Sequence, residues 1–443
     1  MQELQAYRKA FEQLPQGVNA AEAQAERTIV MAASVSDGAS AGMEYSDKTE
    51  LFVRATGAKT GMVYTENLEE DPSGVLCQAL DNSELAQSAE LMADADYLPL
   101  QQLPAEKTAD ELHEAAAALE KQLKEQLDFV SELSVTIAQR ITVIGVVNTN
   151  GADVSAAVER FDVNVHAAHC KDPLKPFSED KAYAELAQLD TAEWVRSLQE
   201  WNDSIRPEGK IAPGEYRAVL SARAMDYVLV TAWQLFSAAC CQQGRSAIAG
   251  KMGQKLFADC ITFCDHKEGP GFAAVLDAEG VRCRNVTVAE NGVVTGWMHN
   301  LYTADKDGVS STGNAGRRAL LSGNIHTDMT VVPVCFTLES GEHSLNELIR
   351  MCGDGVYICE NFDQFHSLNI VSGDFTFPCR AIRIENGQLT ESAGGLVMSG
   401  NVVDLLASAE ALGDTQRIEP MAMYNNYTVS APAMLVSKLN IVG

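Results

Sequence analysis

Basic residues and long apolar runs are both scarce in this chain of 443 residues. The 33 lysines and arginines are outnumbered by 61 aspartates and glutamates, which gives a formal net charge of −28. Such an acidic surface repels phosphate backbones, and no basic patch relieves it, so we expect no nucleic-acid partner. No run of about 18 apolar residues could cross a membrane, and the opening MQELQAYRKAFEQL lacks the apolar block of a signal peptide. We therefore expect no membrane partner and a cytoplasmic location.

Paired cysteine motifs are missing too, although the chain has 11 cysteines. None stands in a CxxC pair, and a chain of this length does not need disulfides to hold its core, so we interpret them as free, mostly buried thiols. A cysteine nucleophile needs a base within hydrogen-bond reach. No local signature joins a cysteine to His299, His326, His343 or His366, and a hydrolase with a cysteine nucleophile stays open as an alternative.

The first half of the chain alternates β-rich and helical patterns. Residues 1–65 predict a short helix followed by an antiparallel meander, and the capping box that Thr108 begins predicts a helix with one apolar face. Residues 141–169 predict a long hairpin with an Asn-Gly turn. Further helices are predicted at Lys181 to Gln188 and at Thr191 to Ile205.

A polar stretch that contains Pro207 and Pro213 marks the predicted boundary between two domains. Beyond it the pattern predicts a strand, a helix from about Ala222 to Cys241, and a second β-rich region with many Asn-Gly turns. We therefore predict an α+β fold with two domains, residues 1–206 and 207–443, each mixing antiparallel sheet with helices, the second being β-rich.

The segment HAAHC at residues 166–170 has a composition typical of metal sites. In a strand, however, His166 lies on the polar face and His169 points to the opposite face, so the two imidazoles do not share a metal ion. Cys260 and Cys264 are predicted to lie on one face of a strand as buried thiols.

The glycine-rich segment GVSSTGNAGRR, at residues 308–318, does not have the order of a phosphate-binding loop. The lysine that would contact phosphate is also missing, so nucleotide binding is excluded. Its small residues suit the close approach of another backbone. We predict no metal ion and no other cofactor for this chain.

Four consecutive blocks of the second half resemble the TldD/PmbA family, also known under the name modulator of DNA gyrase. They are GRSAIAGKMGQKL, the long segment from DHKEGPGF to STGNAGR, SGDFTFPCRAIRIENGQLTES and VMSGNVVDLL. In the first half, ELFVRATGAKTGMVYTENL and NTNGADVS are similar to the family more weakly. The resemblance implies two α+β domains, a dimer, and peptidase chemistry on small or unfolded peptides.

In the active, TldD-like branch of that family a helix carries an HExxxH zinc motif. Here the corresponding positions are Leu229, Val230 and Gln234, and the position of a further cysteine ligand near the C-terminus falls on Ala431. None of these side chains can replace an imidazole, a glutamate base or a thiolate. The chain therefore resembles the PmbA (TldE-like) branch, and we predict no catalytic residues in it.

The resemblance implies a non-catalytic subunit of a TldD/TldE-type metallopeptidase, whose partner is a TldD-like subunit bearing HExxxH. Asn314, Gly316 and Asp374 are predicted to line a peptide groove. A homodimer that binds peptides on its own, by adding them as a strand to a sheet edge, is the alternative from a different functional class.

Overall fold

A seven-stranded sheet organises the first half of the chain. The structure, a computed structural model, describes residues 1, 3–84, 92–172, 176–269, 271–317, 329–420 and 427–442. The strands of the sheet are β1 (Ala20–Ser36), β2 (Ala39–Thr56), β3 (Thr60–Thr65), β4 (Tyr97–Leu98), β5 (Val130–Asn148), β6 (Asp153–His169) and β7 (Phe177–Tyr183). The order across the sheet is β3-β2-β1-β5-β6-β4, and β7 pairs with β6. Four helices accompany it: α1 (Gln5–Phe11), α2 (Pro72–Asp81), α3 (Ala109–Gln126) and α4 (Thr191–Ser204).

Helix α3 forms where its sequence predicts it and covers one face of this sheet. Thr108 accepts a hydrogen bond from the Glu111 backbone, and the Glu111 side chain accepts one from the Thr108 backbone, which satisfies donors that the first turn leaves free. Leu112, Leu119 and Leu123 are buried against strands β1 and β5. The helix is therefore held both by its cap and by the burial of its apolar face.

The predicted helix at Lys181 to Gln188 is wrong. Residues Phe177–Tyr183 form strand β7, in which Phe177, Glu179 and Lys181 are buried while the residues between them are exposed. That alternation has the two-residue period of a strand, and pairing with β6 fixes it. The predicted helix at Thr191 to Ile205 is confirmed as α4.

A ten-stranded mixed sheet organises the second half. Its strands are β8 (Gly214–Leu220), β9 (Phe263–His266), β12 (Val286–Glu290), β13 (Val293–Val294), β16 (Cys335–Leu338), β17 (Gly355–Asn361), β18 (Asp374–Glu385), β19 (Gln388–Asn401), β20 (Ala409–Pro420) and β21 (Thr428–Val442). Two small ladders join β10 (Glu268–Gly269) to β11 (Phe272–Ala273), and β14 (Ala315–Gly316) to β15 (Thr330–Val331). The helices are α5 (Ala222–Ala232), α6 (Ala238–Gln242), α7 (Leu301–Asp307), α8 (Leu345–Cys352) and α9 (Val402–Ala407).

Strand β21 lies at the centre of this sheet and pairs with β8, β16, β19 and β20. Because β8 also pairs with β17, strands β21, β19, β18, β17 and β8 form a closed circuit. The largest apolar core packs α5 against this sheet. The α+β fold class is therefore confirmed. The two sheets lie on either side of residue 207, and the division into two domains there stays a prediction.

The predicted helix from Ala222 to Cys241 is broken near its middle. Helix α5 ends at Ala232, a 3₁₀ turn covers Trp233–Phe236, and α6 begins after Ser237, whose backbone is extended. Ser237 pairs with Met298, and the backbone N–H of Ala238 donates to the Met298 carbonyl at 3.0 Å. This tertiary pairing replaces a turn of helix. No helix in the described part of the chain is both long and apolar enough to span a membrane.

Candidate functional site

A cavity of about 190 Å³ lies where the two sheets meet. Strands β1, β5 and β6 form one wall, and the segments 272–278 and 313–317 of the second half form the other. Both apolar and charged side chains line it, among them Phe52, Glu159 and Arg160. A cavity with this mixed lining, at the junction of two sheets, is the first place to look for a ligand.

Arg317 crosses from the second half into the first at the edge of this cavity. Its Nε donates to Gln24 Oε1 at 2.5 Å, and its guanidinium stacks over the Phe52 ring at 4.8 Å. Glu22 accepts from Arg54 at 3.0 Å and lies 4.0 Å from Arg317. Burial lowers the pKa of Arg317 to about 10, so the group stays cationic at neutral pH. The contacts of Arg317 with Gln24 and Glu22 therefore connect the two sheets at the edge of the cavity.

Three buried carboxyl groups lie under the second wall of the cavity. Asp277 accepts hydrogen bonds from the backbone of Glu279, Val281 and Ala315, and burial still raises its pKa to about 7. Burial first and the charge of Asp277 second raise the pKa of Glu279 to about 8. Burial raises the pKa of Asp265 to about 7 as well. These groups shape the loops of the cavity and titrate close to neutral pH.

Two of the three residues predicted for a peptide groove line the cavity. Asn314 is buried, and its side chain donates to Asp265 Oδ2 at 2.6 Å and to the Val332 carbonyl at 2.9 Å. Gly316 lies in the β14–β15 ladder, and a Cβ there would meet the Val332 side chain. Asp374 lies elsewhere, exposed at the start of β18, where it accepts from Asn401 at 3.1 Å.

The positions that correspond to the zinc motif lie in the core of the second half. Leu229 and Val230 are buried on α5, and Ala431 is fully buried on β21. Gln234 is half-buried in the 3₁₀ turn that follows the helix. The hydroxyl of Tyr427 donates to the Val230 carbonyl at 3.1 Å, so the helix packs directly on the strand that carries Ala431.

A paired guanidinium, with 13% of its side chain exposed, lies next to these positions. Arg417 is the cross-strand neighbour of Ala431, and its Nη1 donates to Asp226 Oδ2, on α5, at 2.8 Å. Its Nε donates to Glu179 of the first half at 3.3 Å, and its Nη1 lies 2.6 Å from Glu419. Burial opposes the charge of Arg417, but Glu419, Glu179 and Asp226 outweigh it and hold the pKa of the guanidinium well above its usual value. Burial also raises the pKa of Asp226, although Arg417 beside it acts in the opposite direction. The positive charge next to Ala431 is therefore supplied by the guanidinium of Arg417.

The histidines of residues 166–170 lie apart. His166 is exposed, whereas His169 is buried between the rings of Phe129 and Trp201, and its Nε2 contacts Asn202 at 2.9 Å. The contacts of His169 are those of a packed core side chain.

One histidine does meet a cysteine, and the sequence analysis missed it. The side chains of Cys264, His266 and Glu339 converge so that their ligand atoms all lie within 4.8 Å of one another. Cys260 precedes strand β9, so the prediction that Cys260 and Cys264 share a strand is wrong. The signal in the sequence was the spacing of Cys264 and His266, which places both on one face of a strand.

The thiols of the core are poorly ionised. Burial raises the pKa of the cysteine thiols at positions 240, 241, 260, 264, 283, 335, 352, 359 and 379. A nucleophilic cysteine needs the opposite shift. Of the histidines considered as bases, His299 contacts Thr303, His366 contacts Asp363, and His326 lies outside the described residues.

The second half matches a known family. The model of the PmbA/TldA metallopeptidase C-terminal domain matches residues 213–443. A protein named metalloprotease from Methanothermobacter thermautotrophicus is 32% identical over 179 residues, which cover 40% of this chain and 37% of that protein. The matched stretch thus spans less than half the length of this curated relative.

Solved structures match over nearly the whole chain. TldE from Thermococcus kodakarensis superposes with a TM-score of 0.82 at 21% identity, covering 99% of this chain and 100% of that one. A Thermotoga maritima protein described as a putative modulator of a DNA gyrase gives a TM-score of 0.80 at 21% identity, with coverages of 99% and 98%. At this identity the likeness shows a shared fold, which includes both sheets.

Proposed function

The chain belongs to the PmbA/TldD metallopeptidase family, and from that premise we propose that it is the subunit without a catalytic zinc ion. The proposed enzyme acts on small or unfolded peptides in the cytoplasm. A TldD-like subunit that bears HExxxH supplies the zinc ion and the glutamate base, while this chain contributes binding surface and shape.

The observation that carries this proposal is the paired guanidinium of Arg417, which is 13% exposed and lies next to Ala431 and α5. A zinc ion needs thiolate, imidazole or carboxylate groups that are free to coordinate it. Here Leu229 and Val230 offer no ligand atom, and the carboxylates of Asp226 and Glu419 are paired with Arg417. A guanidinium cannot activate water or polarise a carbonyl as a Lewis acid does.

The cavity between the sheets supports a role in holding peptides. Its walls offer apolar surface from Phe52 and Val275, and charged groups from Arg140 and Glu159. An extended peptide presents both kinds of group, apolar side chains and a polar backbone.

A reconstitution experiment tests the proposal. The chain alone should not cleave a panel of unstructured peptides, and adding a TldD-like partner should produce cleavage that EDTA abolishes. In the mixture, the Ala274→Phe variant, which fills the cavity, should raise the KM, whereas Gln234→Ala should leave the rate unchanged because that side chain lies outside the cavity. EDTA-sensitive cleavage by the chain alone would overturn the proposal.

An exposed strand edge favours a second candidate function, peptide binding by a homodimer. Residues 39–48 of β2 are all exposed and pair with β1 on one side, while β3 covers only the Leu51–Thr56 part of the strand. An unpaired edge can accept a peptide as an added strand. Peptide binding by the chain alone, lost on substituting proline for Met43, would favour this function over the first.

A further inference from the structure

We propose that Cys264, His266 and Glu339 form a binding site for a divalent metal ion of the zinc class. The site is separate from the cavity between the sheets, since none of the three residues lines that cavity. It goes beyond the proposed function, because it needs neither peptide nor partner subunit.

The sheet itself brings the three side chains together. Strand β9 places Cys264 and His266 two residues apart, so both point to the same face. On the neighbouring strand β16, Thr337 lies opposite Cys264, and the next residue on that face is Glu339. The backbone N–H of Glu339 donates to the Thr262 carbonyl at 3.0 Å and continues the ladder. This hydrogen bond fixes the backbone of Glu339, and its carboxylate extends from there toward Cys264 and His266.

The distances suit one ion. His266 Nε2 lies 2.7 Å from Glu339 Oε1, and one ligand atom from each of the three residues lies within 4.8 Å of the other two. A tetrahedral zinc ion, at about 2.0–2.3 Å from each ligand atom, separates those atoms by roughly 3.3–3.8 Å. Small side-chain rotations would move His266 Nε2 and Glu339 Oε1 far enough apart to coordinate one ion. The ion would then take the place of the proton that the two atoms now share.

The chemistry of the three groups selects the class of ion. Thiolate with imidazole favours zinc and similar borderline ions over magnesium or calcium, which prefer oxygen ligands. Burial first, and the nearby Glu339 carboxylate, raise the pKa of the Cys264 thiol, because two negative groups repel each other there. A divalent cation removes that repulsion. The hydroxyl of Thr287, 3.4 Å from Sγ, is placed to hydrogen-bond the thiolate as an outer-shell partner.

The site is open to solvent, so an ion can enter. The side chains of His266 and Glu339 are 31% and 38% exposed. Three protein ligands leave a fourth position for water or a further ligand. The net charge of −28 also raises the local concentration of cations.

Metal titration of the purified chain tests the proposal. The protein, stripped with a chelator and desalted, is titrated with Zn²⁺ by calorimetry and with Co²⁺ by visible absorption, which reports tetrahedral coordination with sulfur. We expect one ion per chain with a dissociation constant in the micromolar range or below. Cys264→Ser should weaken binding at least about 100-fold, because loss of a ligand exceeds the effect of losing an outer-shell partner.

Matched controls separate this site from other thiols and histidines. Cys260→Ser removes a half-buried thiol four residues away, and His366→Gln removes an exposed histidine that also pairs with a carboxylate. Both should bind zinc like the unmodified chain. Glu339→Gln, at the exposed end of the site, should weaken binding even if Cys264→Ser does not fold.

Two outcomes overturn the proposal: no zinc binding at micromolar concentration, or binding that survives both Cys264→Ser and Glu339→Gln. Neither outcome bears on the reconstitution experiment, because that experiment measures cleavage by a different zinc ion in the partner subunit.

Discussion

At the scale of single residues, one guanidinium decides what the α5 region can do. Arg417 draws carboxylates from three elements to one point, Asp226 from α5, Glu179 from β7 and Glu419 from its own strand. Removing one partner from such a largely enclosed ion pair leaves an uncompensated charge, which destabilises the folded state. The charge at this place is therefore part of the fold.

Replacing this guanidinium should destabilise the whole chain. In Arg417→Met the three carboxylates keep their burial and lose their counter-ion, which costs about 3–5 kcal/mol of unfolding free energy. Urea denaturation measures the loss. Lys121→Met, which removes one side of an exposed pair, is the control and should change stability by less than about 1 kcal/mol. If both substitutions lower the free energy of unfolding equally, the ion pairs of Arg417 contribute no more to stability than an exposed ion pair.

The buried Glu279 should make stability depend on pH. Its pKa is about 8 in the folded chain and near the ordinary value of about 4.3 in the unfolded one. Between these values the folded state holds a proton that the unfolded state has lost, so the free energy of unfolding falls as pH rises. In Glu279→Gln this contribution disappears, and stability should fall less steeply between pH 5 and 8.

The matched control for that change is Glu268→Gln, because the Glu268 side chain is 70% exposed. Its curve of stability against pH should run parallel to that of the unmodified chain. A Glu279→Gln curve that also runs parallel would contradict the raised pKa.

At the scale of elements, sequence patterns predicted the features that depend on residues close together in the chain. The capping box and apolar face of α3, and the Asn-Gly turn between β5 and β6, are set by neighbours in sequence, and both are confirmed. Strand β7 and the break at Ser237 depend on pairing with residues far along the chain. Short amphipathic segments fit helix and strand equally well until such a partner is known.

The candidate site shows the same limit. The loss of the zinc motif could be predicted from α5 alone, because no histidine occurs in that helix. That Arg417 lies beside Ala431 follows from the register of β20 on β21, which no local pattern encodes. Likewise, the partner of Cys264 and His266 is Glu339, which directly follows strand β16 and lies 73 residues after His266.

Introducing residues of the zinc motif into the α5 region should destabilise the chain at position 230 but not at position 234. Val230 is fully buried in the main core, so Val230→Glu places an unpaired carboxylate there and should cost at least about 3 kcal/mol or prevent folding. Gln234→His, at a half-buried position one turn later, should be tolerated. Thermal melting of both variants checks this. A stable Val230→Glu variant that gains peptidase activity would show that the helix keeps a latent site.

At the scale of the whole molecule, the exposed edge of β2 predicts association. Met43 and Tyr45 are 58% and 55% exposed on a part of β2 that pairs only with β1 among the described residues, and such edges can pair with another chain. We expect the protein to form a dimer with itself or with a TldD-like subunit. Light scattering that finds a single species of 47.8 kDa at micromolar concentration, with and without that subunit, would contradict this.

A substitution on the edge tests where the contact lies. Tyr45→Asp should shift the assembly toward the monomer, because a charged side chain on an exposed edge strand opposes its pairing with another chain. Tyr97→Asp, at a tyrosine that is 70% exposed away from this edge, should leave the assembly unchanged. The opposite pattern would place the interface elsewhere.

The central position of β21 also matters while the protein is being made. In the part of the chain that the structure describes, the strands that pair with it are β8, β16, β19 and β20, and all four are translated before it. Until residues 428–442 leave the ribosome, those strands have unpaired edges and the closed circuit has a gap, which is the state in which nascent chains aggregate. We infer that the second sheet completes only after translation has passed its last strand. Premature termination before that strand would therefore leave an insoluble fragment for cellular quality control to remove.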